Sequence, residues 1–393
     1  MSESSKSSSM TRRQALGVVG GLVVGGVVGA AGGYYAGMSS VPSAPGGVTT
    51  VTQTVTGPGA TVTASGAGPG AGMQYGTLPS HPVWKFVSIC HVTTNPFFVP
   101  TQYGIADADA LFGTKTQWTG SETSLVSEMV DAFNAAVAAK VDGIATTLID
   151  PKAFNAPTDA ALAAGIPVIG YNADAKAGTA KHPACGCGMV LNNRMSYVGQ
   201  PLYDSGVNLG NMITKYVTDT KARIALFIAT PGSLNIEPRI DGASDALAAA
   251  GYTNIDIVGT DALLDKEGPL IDAYYLGHTD VKGMFAVDAG DTSWVGDIAT
   301  KEGLIGKVVT GGFDLLPETL KNIQSGATSF TIDQQPYLQG FVPVMQLYLY
   351  KLSGGAMAPS DTNTSLKFVT KDNVAGYTTK SRFEGSTPNQ PTF

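Results

Sequence analysis

Ten residues of this chain follow short apolar runs and carry groups suited to holding a small polar molecule. They are Asn95, Phe97, Phe98, Asn172, Asn235, Arg239, Asp288, Asp314, Gln334 and Gln335. Two aromatic rings offer apolar faces to C–H groups. The amides, the two carboxylates and the guanidinium offer fixed donors and acceptors to hydroxyls. A molecule with an apolar face and a rim of hydroxyls, such as a sugar or a polyol, uses both halves of that set. Each residue also has a structural reading. The two Phe can be core, an Asp after a strand can cap a helix (Asp288 and Asp291 both stand in such a place), and Arg239 can be a surface residue at a helix start. Their shared position at strand ends sets the group apart.

Catalytic constellations are missing from the pattern. The 4 His are His81, His91, His182 and His278, and only His91 adjoins a thiol, Cys90. There is no Gly-x-Ser-x-Gly elbow and no P-loop. The Gly-rich runs near 17–33 and 57–76 do not lie between a strand and a helix, which disfavours a dinucleotide site. The chain is therefore expected to bind rather than to catalyse, without a cofactor. The 3 Cys form no disulfide framework. Cys90 reads as a small buried hydrophobe. Cys185 and Cys187, near His182, have no evident fourth metal ligand and read as loop thiols, so no metal site is expected.

The elements that must position these residues alternate. Strands are expected over Lys85–Cys90, Gly143–Ile149, Ile166–Tyr171, Arg223–Ile228, Ile255–Val258, Gly283–Val287, Val308–Gly311 and Thr328–Ile332. Helices are expected over Ser124–Lys140, Thr158–Ala164, Met195–Val217, Ile240–Ala249, Thr292–Lys301, Pro317–Ser325 and Leu338–Leu352. In Ser124–Lys140, Val126, Met129, Val130, Phe133 and Val137 recur at helical spacing. Strand–helix alternation of this kind makes an α/β protein with doubly wound parallel sheets. Such sheets bind ligands beyond the carboxyl ends of their strands, where the ten residues fall.

The region from about Trp84 onward is long enough for two such domains at roughly 150 residues each. The residues before it are an address and a spacer. Arg12-Arg13 precede an uncharged stretch, Ala15 to Met38, which reads as a twin-arginine export signal over 1–38. The stretch exceeds the ~7–15 residues of a usual signal core and reaches the ~20 that span a bilayer. It is therefore expected to remain as a membrane anchor, a cleaved signal being the alternative. Residues 39–82 are rich in Gly, Pro and Thr and are expected to form a surface linker, despite a Val/Thr alternation over 48–56. Residues 380–393 read as a tail. A net charge of −7, with no Lys/Arg cluster in the folded region, argues against a nucleic-acid partner.

Several segments, in order, resemble the type I periplasmic solute-binding proteins of the ribose- and galactose-binding group. These are Thr94-Asn95-Pro96-Phe97-Phe98, Ala164-Gly165-Ile166-Pro167-Val168-Ile169, Arg239-Ile240-Asp241-Gly242, Phe285-Ala286-Val287-Asp288, Gly311-Gly312-Phe313-Asp314 and Thr331-Ile332-Asp333-Gln334-Gln335-Pro336. The resemblance covers nearly all of 84–378. It implies two lobes joined by three crossing segments, near 198–203, 333–337 and 355–362. Lobe 1 would comprise 83–199 plus 335–358, and lobe 2 200–334 plus 359–379. It also implies a ligand site of Asn95, Phe97, Phe98, Asn172, Asn235, Arg239, Asp288, Asp314 and Gln334, closure around a sugar, and delivery to ABC permease subunits outside the cytoplasm. A sensory receptor feeding a chemoreceptor or histidine kinase is the alternative use of such a fold. A regulator would need a DNA-binding segment where this chain has its leader. Two departures bear on the ligand. Asn172-Ala173 stands where the ribose-type pattern has Asp-Arg, and Leu263-Leu264 stands near a usual aromatic. The expected ligand is therefore a neutral polyhydroxylated solute, not ribose in particular.

Overall fold

The computed structural model describes residues 50–57, 60–67, 78–150, 152–174 and 192–378. The export signal, Cys185, Cys187, His182 and the tail lie outside these residues. Two units are distinguished, 1–77 and 78–393.

In the first unit β1 (Thr50–Gly57) pairs antiparallel with β2 (Ala60–Ala67), from Thr50 opposite Ala67 to Gly57 opposite Ala60. The Val/Thr alternation, set aside as a strand signal in the sequence, is therefore a strand within the expected linker. The period-two Val/Thr alternation suits a pleated strand, and Pro58-Gly59 between the two runs is turn chemistry.

The second unit holds two six-stranded sheets. The first has the order β13-β7-β6-β5-β3-β4, with β3 Lys85–Cys90, β4 Lys115–Gly120, β5 Gly143–Thr146, β6 Val168–Tyr171, β7 Ser196–Gly199 and β13 Thr362–Asn363. All its pairings are parallel. The second has the order β14-β12-β11-β10-β8-β9, with β8 Ile224–Ile228, β9 Ile255–Gly259, β10 Gly283–Ala286, β11 Val309–Phe313, β12 Phe330–Asp333 and β14 Lys367–Thr370. Only β14 runs antiparallel. The helices are α1 Val99–Phe112, α2 Val126–Ala138, α3 Asn155–Ala163, α4 Leu202–Tyr216, α5 Glu237–Ala249, α6 Leu264–Gly277, α7 Ala289–Lys301, α8 Pro317–Ser325 and α9 Pro336–Leu352.

Alternation along single strands explains the layering. In β8, Ile224, Leu226 and Ile228 face one core with Leu209, Ile213 and Leu247 of α4 and α5. Ala225 and Phe227 face another, with Ile271 of α6 and Val295 of α7. Likewise β3 sends Val87 and Ile89 to Met129 and Phe133 of α2, and Phe86 and Cys90 to Ile105 of α1 and Leu347 of α9. A sheet buried on both faces needs apolar residues on both sides of each strand, which is the doubly wound arrangement.

Three sequence expectations change. The helix expected over Met195–Val217 is a strand followed by a helix. Ser196–Gly199 is buried and pairs with β6, and Pro201 separates it from α4. Helix α1 and strand β4 were not read from the sequence. Helix α1 carries Gly104 and a long buried face, and β4 is a half-exposed edge strand, so neither shows clean periodicity. The third passage between the sheets falls after 355–362, because Thr362 and Asn363 still pair with β7 in the first sheet.

Candidate functional site

Strand ends of both sheets meet across one cavity. All nine residues of the expected site line it: Asn95, Phe97, Phe98, Asn172, Asn235, Arg239, Asp288, Asp314 and Gln334. Gln335 does not; it caps α9 in a left-handed conformation. The free space within the cavity is about 60 Å³, well below the ~300–1,000 Å³ of an open small-molecule site, so the side chains lie close together here.

Position follows from local structure. Asn95 opens the short turn Pro96–Phe98 by accepting from the Phe97 N–H at 2.9 Å. That turn sets the two rings edge to face, 4.7 Å apart, both mostly buried. Asn172 follows β6 with φ 62° and Asp314 follows β11 with φ 75°. The two strands hold the same fourth place, counted from the β4 and β9 edges, in their sheets. A left-handed turn there aims each side chain back over the strand ends, and Asn and Asp are the side chains that best tolerate it.

Arg239 depends on the packing of α5 on α4. A Cβ at Gly242 would lie 2.1 Å from the Tyr203 carbonyl, and one at Gly206 2.2 Å from the Arg239 carbonyl. Only bare glycines allow these helices to approach so closely. The guanidinium is 2 % exposed. Nη1 donates to the Val287 carbonyl at 2.8 Å, Nη2 to Gln200 Oε1 at 3.4 Å, and the group lies 4.1 Å over the Phe313 ring. Its Nε is buried with no partner.

Buried acceptors surround it. Gln334 Nε2 donates to Asp314 Oδ1 at 2.7 Å, and Asn172 Nδ2 donates to Gln339 Oε1 at 3.0 Å. Burial pushes the Asp314 carboxyl up to about 7, with Arg239 pulling the other way. Asp288 caps α7 and accepts from the N–H groups of Asp291 and Ala229, so its structural and cavity-facing readings both hold.

Contacts between the two sheets' loops bridge the lobes beside the cavity. Leu234, from the loop after β8, is 7 % exposed and sits in the first sheet's core with Phe133, Leu148 and Phe154. Its N–H donates to the Ile149 carbonyl at 3.0 Å. Asn235 Nδ2 donates to His91 Nε2 at 3.1 Å, so His91 Nδ1 carries the hydrogen toward Thr147 Oγ1 at 3.2 Å. Burial lowers the His91 pKa to about 3, which keeps the ring neutral. Leu264, at the place of the usual aromatic, packs with Phe97, Phe98 and Ala289.

Sequence reasoning missed His91, Ser124 and Glu267, which also line the cavity. His91 had a signal, since it follows the apolar run ending at Cys90. Glu267 lies within α6 and had none.

Two α/β lobes with strand ends facing a shared, hydrogen-bonding cavity define a hinged solute-binding protein. The comparisons with known proteins agree. Residues 86–355 match the periplasmic binding protein domain family. The chain is 47% identical over 332 residues to the xylose/arabinose-binding protein XylF of Sulfolobus acidocaldarius, which covers 82% of this chain and 80% of that relative. The chain belongs to the periplasmic binding protein family. Its fold is that of a solute-binding protein from Burkholderia graminis C4D1M in complex with D-arabinose, with a TM-score of 0.67 and 25% identity over 77% of this chain and 100% of the other. A carbohydrate transporter protein from Acidothermus cellulolyticus 11B, in complex with myo-inositol, shares the fold at a TM-score of 0.65 and 22% identity, over 77% of this chain and 99% of the other.

Proposed function

We propose that this protein captures a neutral monosaccharide or polyol outside the cytoplasm and delivers it to an ABC importer, with nine residues holding the ligand: Asn95, Phe97, Phe98, Asn172, Asn235, Arg239, Asp288, Asp314 and Gln334. The observation that carries this reading is the convergence of those side chains on one cavity. Phe97 and Phe98 supply apolar faces, while the Arg239, Asp288, Asp314, Asn172 and Gln334 side chains supply the polar rim. The lining holds three carboxyl groups, Glu267, Asp288 and Asp314, against one guanidinium, so hydrogen-bonding groups suited to hydroxyls outnumber cationic ones, which favours a neutral ligand over an anion. The 47% identity to a xylose/arabinose-binding protein supports a pentose.

Binding works by closure. Residues 83–199 with 335–358 act as one lobe and 200–334 with 359–379 as the other, the boundary of the last segment shifting past Asn363. The ligand touches both lobes and stabilises the closed form only by its greater affinity for that form. Neither lobe needs a reactive group, and no catalysis is assigned. The permease then reads the closed shape.

Export by the twin-arginine route and retention of 1–38 as an anchor complete the reading. A thermal-shift and calorimetric screen of D-xylose, L-arabinose, hexoses and polyols tests the binding function, with a saturable response to at least one expected. Silence across all of them overturns it. Fractionation of cells expressing the wild type and an Arg12→Lys/Arg13→Lys variant tests the export route, which fails if the variant reaches the surface equally well.

A further inference from the structure

The wall of the cavity formed by α6 and α7 holds three carboxylates. Glu267 lies in the first turn of α6, Asp288 caps α7, and Asp291 lies in the first turn of α7. One oxygen from each falls within 4.8 Å of the others. Glu267 is 2 % exposed, and its Oε2 is buried with no hydrogen-bond partner. Unlike a capping carboxylate, it satisfies no backbone group there. Space is reserved for it, since a Cβ at Gly290 would lie 1.9 Å from that same Oε2. Asp291 is fully buried, and Thr260 Oγ1 stands 2.8 Å from both of its oxygens.

Charge is unbalanced at this place. Of the three, only Asp288 is among the charges acting on Arg239, which also answers Asp314. Burial, then the neighbouring Asp288, Asp261 and Asp265, push the Glu267 carboxyl up to about 9, and Lys266 pairs with Asp261 at 4.0 Å. An unpaired buried charge costs far more than a paired one. A dipositive ion bridging the three carboxyl groups would offset their mutual repulsion. The donor atoms are all oxygen, which suits a hard cation, and a span of up to 4.8 Å is bridged by metal–oxygen distances near ~2.4 Å, the range of Ca²⁺.

We propose that Glu267, Asp288 and Asp291 form a binding site for a hard divalent cation, Ca²⁺ above all, in the wall of the ligand cavity. Asp288 and Asp291 keep their backbone and hydroxyl partners and use their remaining lone pairs. Glu267 gains the partner its Oε2 lacks. The ion would tie the start of α6 to the start of α7. The site stands on this cluster alone and does not rest on the identity of the solute.

The test uses the full chain, stripped with EDTA and dialysed at pH 7.5, without any sugar. Titration calorimetry with CaCl₂ and with MgCl₂ is expected to show one saturable site for Ca²⁺, together with a rise in melting temperature. Glu267→Gln is expected to weaken Ca²⁺ binding at least tenfold, and Asp291→Asn, which carries the same test if the first variant does not fold, to do likewise. Absence of saturable binding to the wild type overturns the site, as does wild-type affinity in either folded variant. A Glu267→Gln protein that melts higher in EDTA, while Ca²⁺ leaves the wild type unchanged, overturns it in favour of carboxyls that share protons.

Discussion

Replacing Leu234 by Ala separates closure from folding. Leu234 belongs to a loop of the second lobe, yet it fills a place in the first lobe's core beside Phe133, Leu148 and Phe154. At 7 % exposure the side chain gains most of the roughly 1.5–3 kcal/mol that burying a leucine is worth. That gain exists only in the closed form, because opening withdraws the loop. Truncation therefore removes about 2 kcal/mol from closure, a shift of about 30-fold in the open–closed equilibrium. Where the competent form is a minority in the free protein, apparent affinity falls by the same factor. Calorimetry with the sugar found in the screen should give a dissociation constant about 30-fold higher. Small-angle scattering should show a smaller ligand-induced compaction at equal sugar. Unchanged affinity together with unchanged compaction would refute the reasoning, since Leu234 would then be no part of the closing contact.

Three further outcomes follow from the geometry. Arg239→Lys should weaken sugar binding by about 10- to 100-fold, because a single ammonium nitrogen cannot replace the planar fork that reaches the Val287 carbonyl and Gln200 from two nitrogens; calorimetry beside a circular-dichroism check of folding measures this. Asn172→Ala should melt below Asn172→Gly by the equivalent of about 1–2 kcal/mol, the cost of the left-handed backbone, while both lose affinity. In EDTA, stability should fall between pH 5 and pH 7.5. Carboxyls raised by burial, Asp314 to about 7 and Asp333 to about 6, hold protons in the folded state that the unfolded chain releases near 4. His91, lowered to about 3, opposes this by destabilising the fold as pH drops below 6.5, but it is one group against several. Denaturant midpoints across that window should shift less in Asp314→Asn.

The sequence by itself determined the alternation of strands and helices, because buried parallel strands need continuous apolar runs and their helices need periodic ones. It also determined which residues stand at strand ends, and all nine of the expected site line one cavity. It could not separate β7 from α4, since Ser196–Gly199 is a strand only by pairing with β6. It undervalued the Val/Thr alternation of β1, whose partner lies across a turn.

Tertiary structure alone decided three things. Gly206 and Gly242 meet Arg239 and Tyr203 through helix packing, which no local pattern announces. Leu234 leaves its own lobe for the core of the other. Glu267, in the first turn of α6, comes to the N-terminus of α7 and leaves a carboxylate oxygen buried without a partner. In each case the deciding term is contact between segments far apart in the chain. Periodicity reads which face of an element is apolar, but not what that face or its end will touch.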